Sequence, residues 1–86
     1  MANWESTDTR KIAATGTDKY EDFGASCTSV IVVADADCFI DFDKPADTGS
    51  LLIKANQEPV QLFVKFTQLH VITSGGAANL YIVGVR

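Results

Sequence analysis

Apolar and polar residues alternate with a period of two along most of this chain. In Cys38-Phe39-Ile40-Asp41-Phe42-Asp43, one face carries Cys38, Ile40 and Phe42 and the other carries Phe39, Asp41 and Asp43. Val60, Leu62, Val64 and Phe66 alternate in the same way with Gln61, Phe63, Lys65 and Thr67. Thr28-Ser29-Val30-Ile31-Val32-Val33 is β-branched and apolar without alternation, which predicts a buried strand. Leu51-Leu52-Ile53, Leu69-His70-Val71-Ile72-Thr73 and Leu80-Tyr81-Ile82-Val83-Gly84-Val85-Arg86 read as further strands. Turn chemistry separates them: Ala34-Asp35-Ala36-Asp37, Lys44-Pro45-Ala46-Asp47-Thr48-Gly49, Ala55-Asn56-Gln57-Glu58-Pro59 and Ser74-Gly75-Gly76. The pattern predicts roughly six or seven strands at about ten-residue spacing, with no helical period. The expected fold is all-β, a small jelly-roll-like β-sandwich over residues 25–86.

Residues 1–24 are polar and read as an N-terminal arm, with Lys11-Ile12-Ala13-Ala14 as one short strand. Trp4 is out of place in a solvated arm. Either it folds back on its own domain, or it anchors the arm on a neighbouring subunit, as interface tryptophans do. The strand that closes the chain, ending at Arg86, is expected to be paired within the domain or completed by a neighbour.

With 86 residues the chain is one domain. A domain of that size buries only ~60–65% of its unfolded surface, so oligomerisation is the expected reinforcement. Cys27 and Cys38 are too few for a disulfide framework and read as small buried thiols. Neither a secretory signal nor an apolar run of membrane-spanning length is evident, so synthesis in the cytoplasm with reduced thiols and no membrane partner is expected. The net charge is −4. Residues 1–47 hold ten of the eleven acidic residues against four basic ones, and residues 48–86 hold three basic residues against Glu58. An acidic chain without a basic stripe argues against a nucleic-acid partner.

Candidate chemistry is sparse. Asp35, Asp37, Asp41, Asp43 and Asp47 invite a calcium reading, but Phe39 and Ile40 stand where an EF-hand needs an oxygen ligand and a glycine. On a continuous strand alternate carboxylates stand about 7 Å apart, too far to chelate one ion. Asp47-Thr48-Gly49-Ser50 matches the active-site motif of retroviral-type dimeric aspartic proteases, with Gly75-Gly76 as a flap and Ile82-Val83-Gly84 as the later apolar element. Against it, Lys44-Pro45-Ala46 precedes the Asp where an apolar strand is required. His70 is the sole histidine and has no evident triad partner. No catalytic residue, metal site or cofactor is expected. Phe39 and Phe63 stand on otherwise polar strand faces and mark a second apolar surface. With Trp4 and Arg86 they are the expected interface residues. A carbohydrate-binding sandwich using Trp4, Tyr20, Tyr81 and the acids is a further alternative.

The stretch from Ala36 to Arg86 resembles small virion proteins of tailed bacteriophages, through Cys38-Phe39-Ile40-Asp41-Phe42-Asp43, Thr48-Gly49, Leu52-Ile53, Ala55-Asn56, Phe66-Thr67-Gln68-Leu69, Val71-Ile72 and Asn79-Leu80-Tyr81-Ile82-Val83-Gly84. The resemblance implies a capsid decoration, cement or head–tail accessory role in the virion. Its partners would be coat or tail protein and its own copies, as a trimer or dimer, after synthesis in the host cytoplasm.

Overall fold

A computed structural model of the chain describes residues 7–55 and 58–86. Eight strands are present among them: β1 (Thr7–Ala14), β2 (Lys19–Cys27), β3 (Ser29–Ala34), β4 (Cys38–Phe42), β5 (Leu51–Ile53), β6 (Val60–Leu62), β7 (Phe66–Ile72) and β8 (Ala78–Val85). They form two four-stranded antiparallel sheets, in the orders β1-β8-β3-β6 and β2-β7-β4-β5. Most consecutive strands lie in opposite sheets, and the two interlocked Greek keys make a jelly roll.

The alternation in the sequence maps directly onto the layers. Ile12, Val30, Val32, Leu80 and Ile82 point inward from one sheet, and Cys38, Ile40, Phe66, Leu69 and Val71 from the other; all ten are buried. Phe66 is the hub of one end of the core. Its ring meets Phe23 edge-on at 5.4 Å and Phe42 at 5.1 Å. Truncating such a ring costs about 3–5 kcal/mol.

Two expectations are corrected. Residues 7–24 are not an arm: β1 pairs along its whole length with β8, from Thr7–Val85 to Ala14–Ala78, and β2 pairs with β7. Polar composition misled because both are edge strands, which need only one apolar face. Trp4 lies outside the described residues. The alternating run from Val60 to Thr67 is also not one strand. It leaves the first sheet after Leu62 and enters the second at Phe66.

Between the edges of β1 and β2, Arg10 ties the two sheets together. Its guanidinium holds Asp8 through two hydrogen bonds of 2.8 and 2.9 Å, reaches Glu21 at 2.9 Å and lies 4.9 Å over the Phe23 ring. β2 bends here: five steps along β2, from Asp22 to Cys27, oppose two along β7. Gly24, at φ 75°, takes the left-handed turn that this bulge needs.

Candidate interaction surface

Antiparallel sandwiches normally present polar side chains outward. The middle of the β1-β8-β3-β6 sheet does not, because Ile31, Val33, Tyr81 and Val83 face outward between Thr9, Lys11 and Gln61. Registration sets Thr9 beside Val83 and Val83 beside Ile31, and in the next outward row sets Lys11 beside Tyr81 and Tyr81 beside Val33. Pro59 borders Val60, the partner of Val32. The twist of the sheet makes this a shallow concavity of about 400 Å³, walled by Ile31, Val33, Pro59, Tyr81 and Val83 with Thr9 and Lys11 at its rim. Lys11 Nζ stands 5.7 Å from the Tyr81 ring centre. Ile31, Val33 and Val83 are half-buried and Tyr81 is exposed, although all four sit on the solvent side of their strands.

The outer face of the β2-β7-β4-β5 sheet is mostly a polar network. His70 is buried there beneath Tyr20, whose ring stacks on it at 4.8 Å. His70 Nδ1 lies 2.9 Å from Asp18 Oδ2, and Nε2 lies 3.1 Å from Gln68 Oε1. The Gln68 amide donates to Asp22 Oδ2 at 3.3 Å, which turns its carbonyl toward the imidazole. Both ring nitrogens thus face side-chain oxygens. Asp18 also accepts from the Ala46 amide at 2.9 Å, so the pair fastens the β4–β5 connection to β7.

The acidic residues act in the same way, as loop clasps. Asp35 accepts from the Asn79 backbone at 2.7 Å and from its side chain at 2.8 Å, and Asp37 from the Ala55 amide at 2.7 Å. Asp41 accepts from the Phe42 amide and from Ser50 Oγ. Asp43 accepts from the Thr67 and Gln68 amides. Backbone donors hold the carboxyls of Asp35 and Asp37 below the usual carboxylate range, chiefly those of Asn79 and Ala55. Nothing in the local sequence announced the bonds of Asp35, Asp37 and Asp43, whose partners lie far along the chain. Among the described residues, no three His, Cys, Asp or Glu side chains gather to hold a metal ion.

The remaining candidates separate. Asp47 is exposed in the turn before β5, where it accepts from the Gly49 amide at 2.7 Å while its own amide donates to Ser50 Oγ at 3.1 Å. Asp47-Thr48-Gly49-Ser50 is therefore a self-closed Asx turn, not an Asp carried on an apolar strand. Phe39 is half-buried on the outer face of β4, in register with Ile72 and Leu52. Phe63 is 82% exposed, beyond the end of β6 in the other sheet. Phe39 and Phe63 thus belong to different sheets rather than to one surface. Arg86 is committed to its own domain, donating to the Phe23 carbonyl at 3.0 Å and to Asp8 at 3.4 Å. Cys27 and Cys38 are buried and unpaired. Burial pushes the Cys38 thiol up to about 11 and raises that of Cys27, so both are poor nucleophiles.

Ile31, Val33, Tyr81 and Val83 escaped sequence reasoning as a surface. The signal was present: Val30-Ile31-Val32-Val33 and Leu80-Tyr81-Ile82-Val83 carry no outward polar position. No protein family, curated protein or solved structure matches the chain.

Proposed function

We propose that this protein is a structural subunit that assembles through the outer face of its β1-β8-β3-β6 sheet. Its place in that reading is a virion accessory component, a decoration, cement or head–tail protein that binds coat or tail subunits and its own copies. The apolar outer face carries the proposal. A small jelly roll already has a complete core between its sheets, so a second cluster of Ile31, Val33, Tyr81 and Val83 adds nothing to that core. Leaving it in water forfeits about 25 cal/mol for every Å² that a partner could cover. Jelly rolls are a common architecture of viral shells, and the resemblance of residues 36–86 to small phage virion proteins points the same way.

Sedimentation velocity at micromolar concentration tests the reading. The chain has a mass of 9.3 kDa. The wild-type protein should sediment as a larger species, and Val83→Lys should return it to the single-chain mass while the chain keeps its β-sheet circular dichroism and cooperative unfolding. A wild-type protein that stays monomeric across that range contradicts the reading.

A further inference from the structure

The surface offers a projection as well as a hollow. Phe63 is the most exposed large apolar side chain among the described residues, at 82%. It comes two residues after Gln61, which lies in the same outward row as Ile31 and Val83. Two residues of extended chain are about 7 Å, so the projection stands just past the end of β6, the edge strand of the sheet whose outer face holds the hollow. We propose that Phe63 of one copy inserts into the concavity of a second copy, walled there by Ile31, Val33, Pro59, Tyr81 and Val83. The inference rests on the self-assembly reading above and names its contact.

Three features favour a second copy as the occupant. An aromatic ring is the group that an apolar hollow beside a tyrosine and a proline takes best, and buried rings of this kind dominate interface energetics. Adjacency of projection and hollow permits exchange in both directions at once, the self-complementary arrangement of a two-fold pair. Charge agrees: Glu58 precedes Pro59 on the hollow's side, Lys65 follows Phe63, and both are exposed. Reciprocal docking brings the Lys65 side of one copy toward the Glu58 side of the other, and unlike charges there steer the encounter.

The test combines a deletion with a proximity measurement on the full chain. Phe63→Ser should raise the apparent self-dissociation constant at least about thirtyfold, the usual size of a lost aromatic hot spot, with the β-sheet circular dichroism of the chain retained. Leu52→Ser, at an exposed apolar site on the other sheet, should leave it unchanged. Mixing Phe63→Cys protein with Val33→Cys protein under mild oxidation should give a disulfide-linked heterodimer. Cys27 and Cys38 are buried and do not compete. Wild-type self-association that persists in Phe63→Ser, or the absence of the cross-link, overturns the Phe63 contact and leaves assembly through the sheet face standing. A monomeric wild-type protein overturns both.

Discussion

Asp43 and Gln68 hold each other twice: the Asp43 amide donates to the Gln68 carbonyl at 2.9 Å, and the Gln68 amide donates back to Asp43 Oδ1 at 2.8 Å. The same carboxylate oxygen also takes the Thr67 amide at 2.9 Å. Asp43 reaches this position with φ at 60°, in the left-handed region that aspartate tolerates better than most residues. The end of β4 is thereby fastened to the start of β7.

Asp43→Ala should destabilise the fold by about 1–3 kcal/mol. It removes the acceptor for two amides and leaves a β-carbon in the left-handed region. Asp43→Gly relieves the backbone but still loses the acceptor, and Asp43→Asn keeps both features in part. Chemical denaturation should therefore rank stability as wild type, Asn, Gly, Ala. A wild-type-like midpoint for Asp43→Ala would show that the clasp contributes nothing.

Gly84 fixes how closely the sheets approach. A β-carbon there would stand 2.8 Å from Phe23 Cε2 and 3.2 Å from Cys27 Sγ. Gly84→Ala forces the Phe23 ring off the Phe66 edge and should cost about 1–3 kcal/mol, the usual range for overpacking. Thermal unfolding monitored by near-ultraviolet circular dichroism measures it. An unchanged midpoint would mean that Phe23 has room to retreat.

These two positions mark what the sequence could and could not say. The inward face of β4 was legible because burial enforces a period of two, and β3, β7 and β8 were legible as strands from their apolar, β-branched runs. β2 was not, and β1 only over residues 11–14, because Arg10, Glu21 and Asp22 occupy positions whose partners lie across the edge of the sandwich, beyond any local pattern. Asp43 read as the outward last residue of a strand, since nothing local announces that amides 24 and 25 residues later will meet it. Of the expected interface residues, Phe63 is exposed past the end of β6 and Arg86 is held in an intradomain tie. The apolar outer face was encoded by the absence of alternation, which in isolation reads simply as a buried strand.

Stability should fall on the acid side through the clasps. The folded carboxyls of Asp22, Asp35 and Asp37 lie below their ordinary range because backbone amides of Gly24, Asn79 and Ala55 donate to them, and that of Asp8 because Arg10 does. A depressed folded value means that the unfolded chain takes up protons first. The contribution is complete above the unfolded carboxylate range, near pH ~4, and is lost as pH drops through the folded values. The melting temperature should thus hold from neutrality to about pH 5 and decline below it. Asp35→Asn should show a shallower decline. Identical acid limbs for the two proteins would contradict the assignment.

The most direct measurement uses the two tyrosines, one on each outer face. Tyr81 lies in the apolar concavity and is 43% exposed; Tyr20 caps His70 on the opposite sheet and is 53% exposed. Hydroxyl-radical footprinting, read by mass spectrometry at nanomolar and at high micromolar protein, compares the faces within one molecule. Assembly through the β1-β8-β3-β6 face should protect Tyr81 strongly at high concentration and leave Tyr20 as reactive as in the dilute sample. Equal reactivity of Tyr81 at both concentrations, or protection of Tyr20 in its place, would contradict assembly through this face.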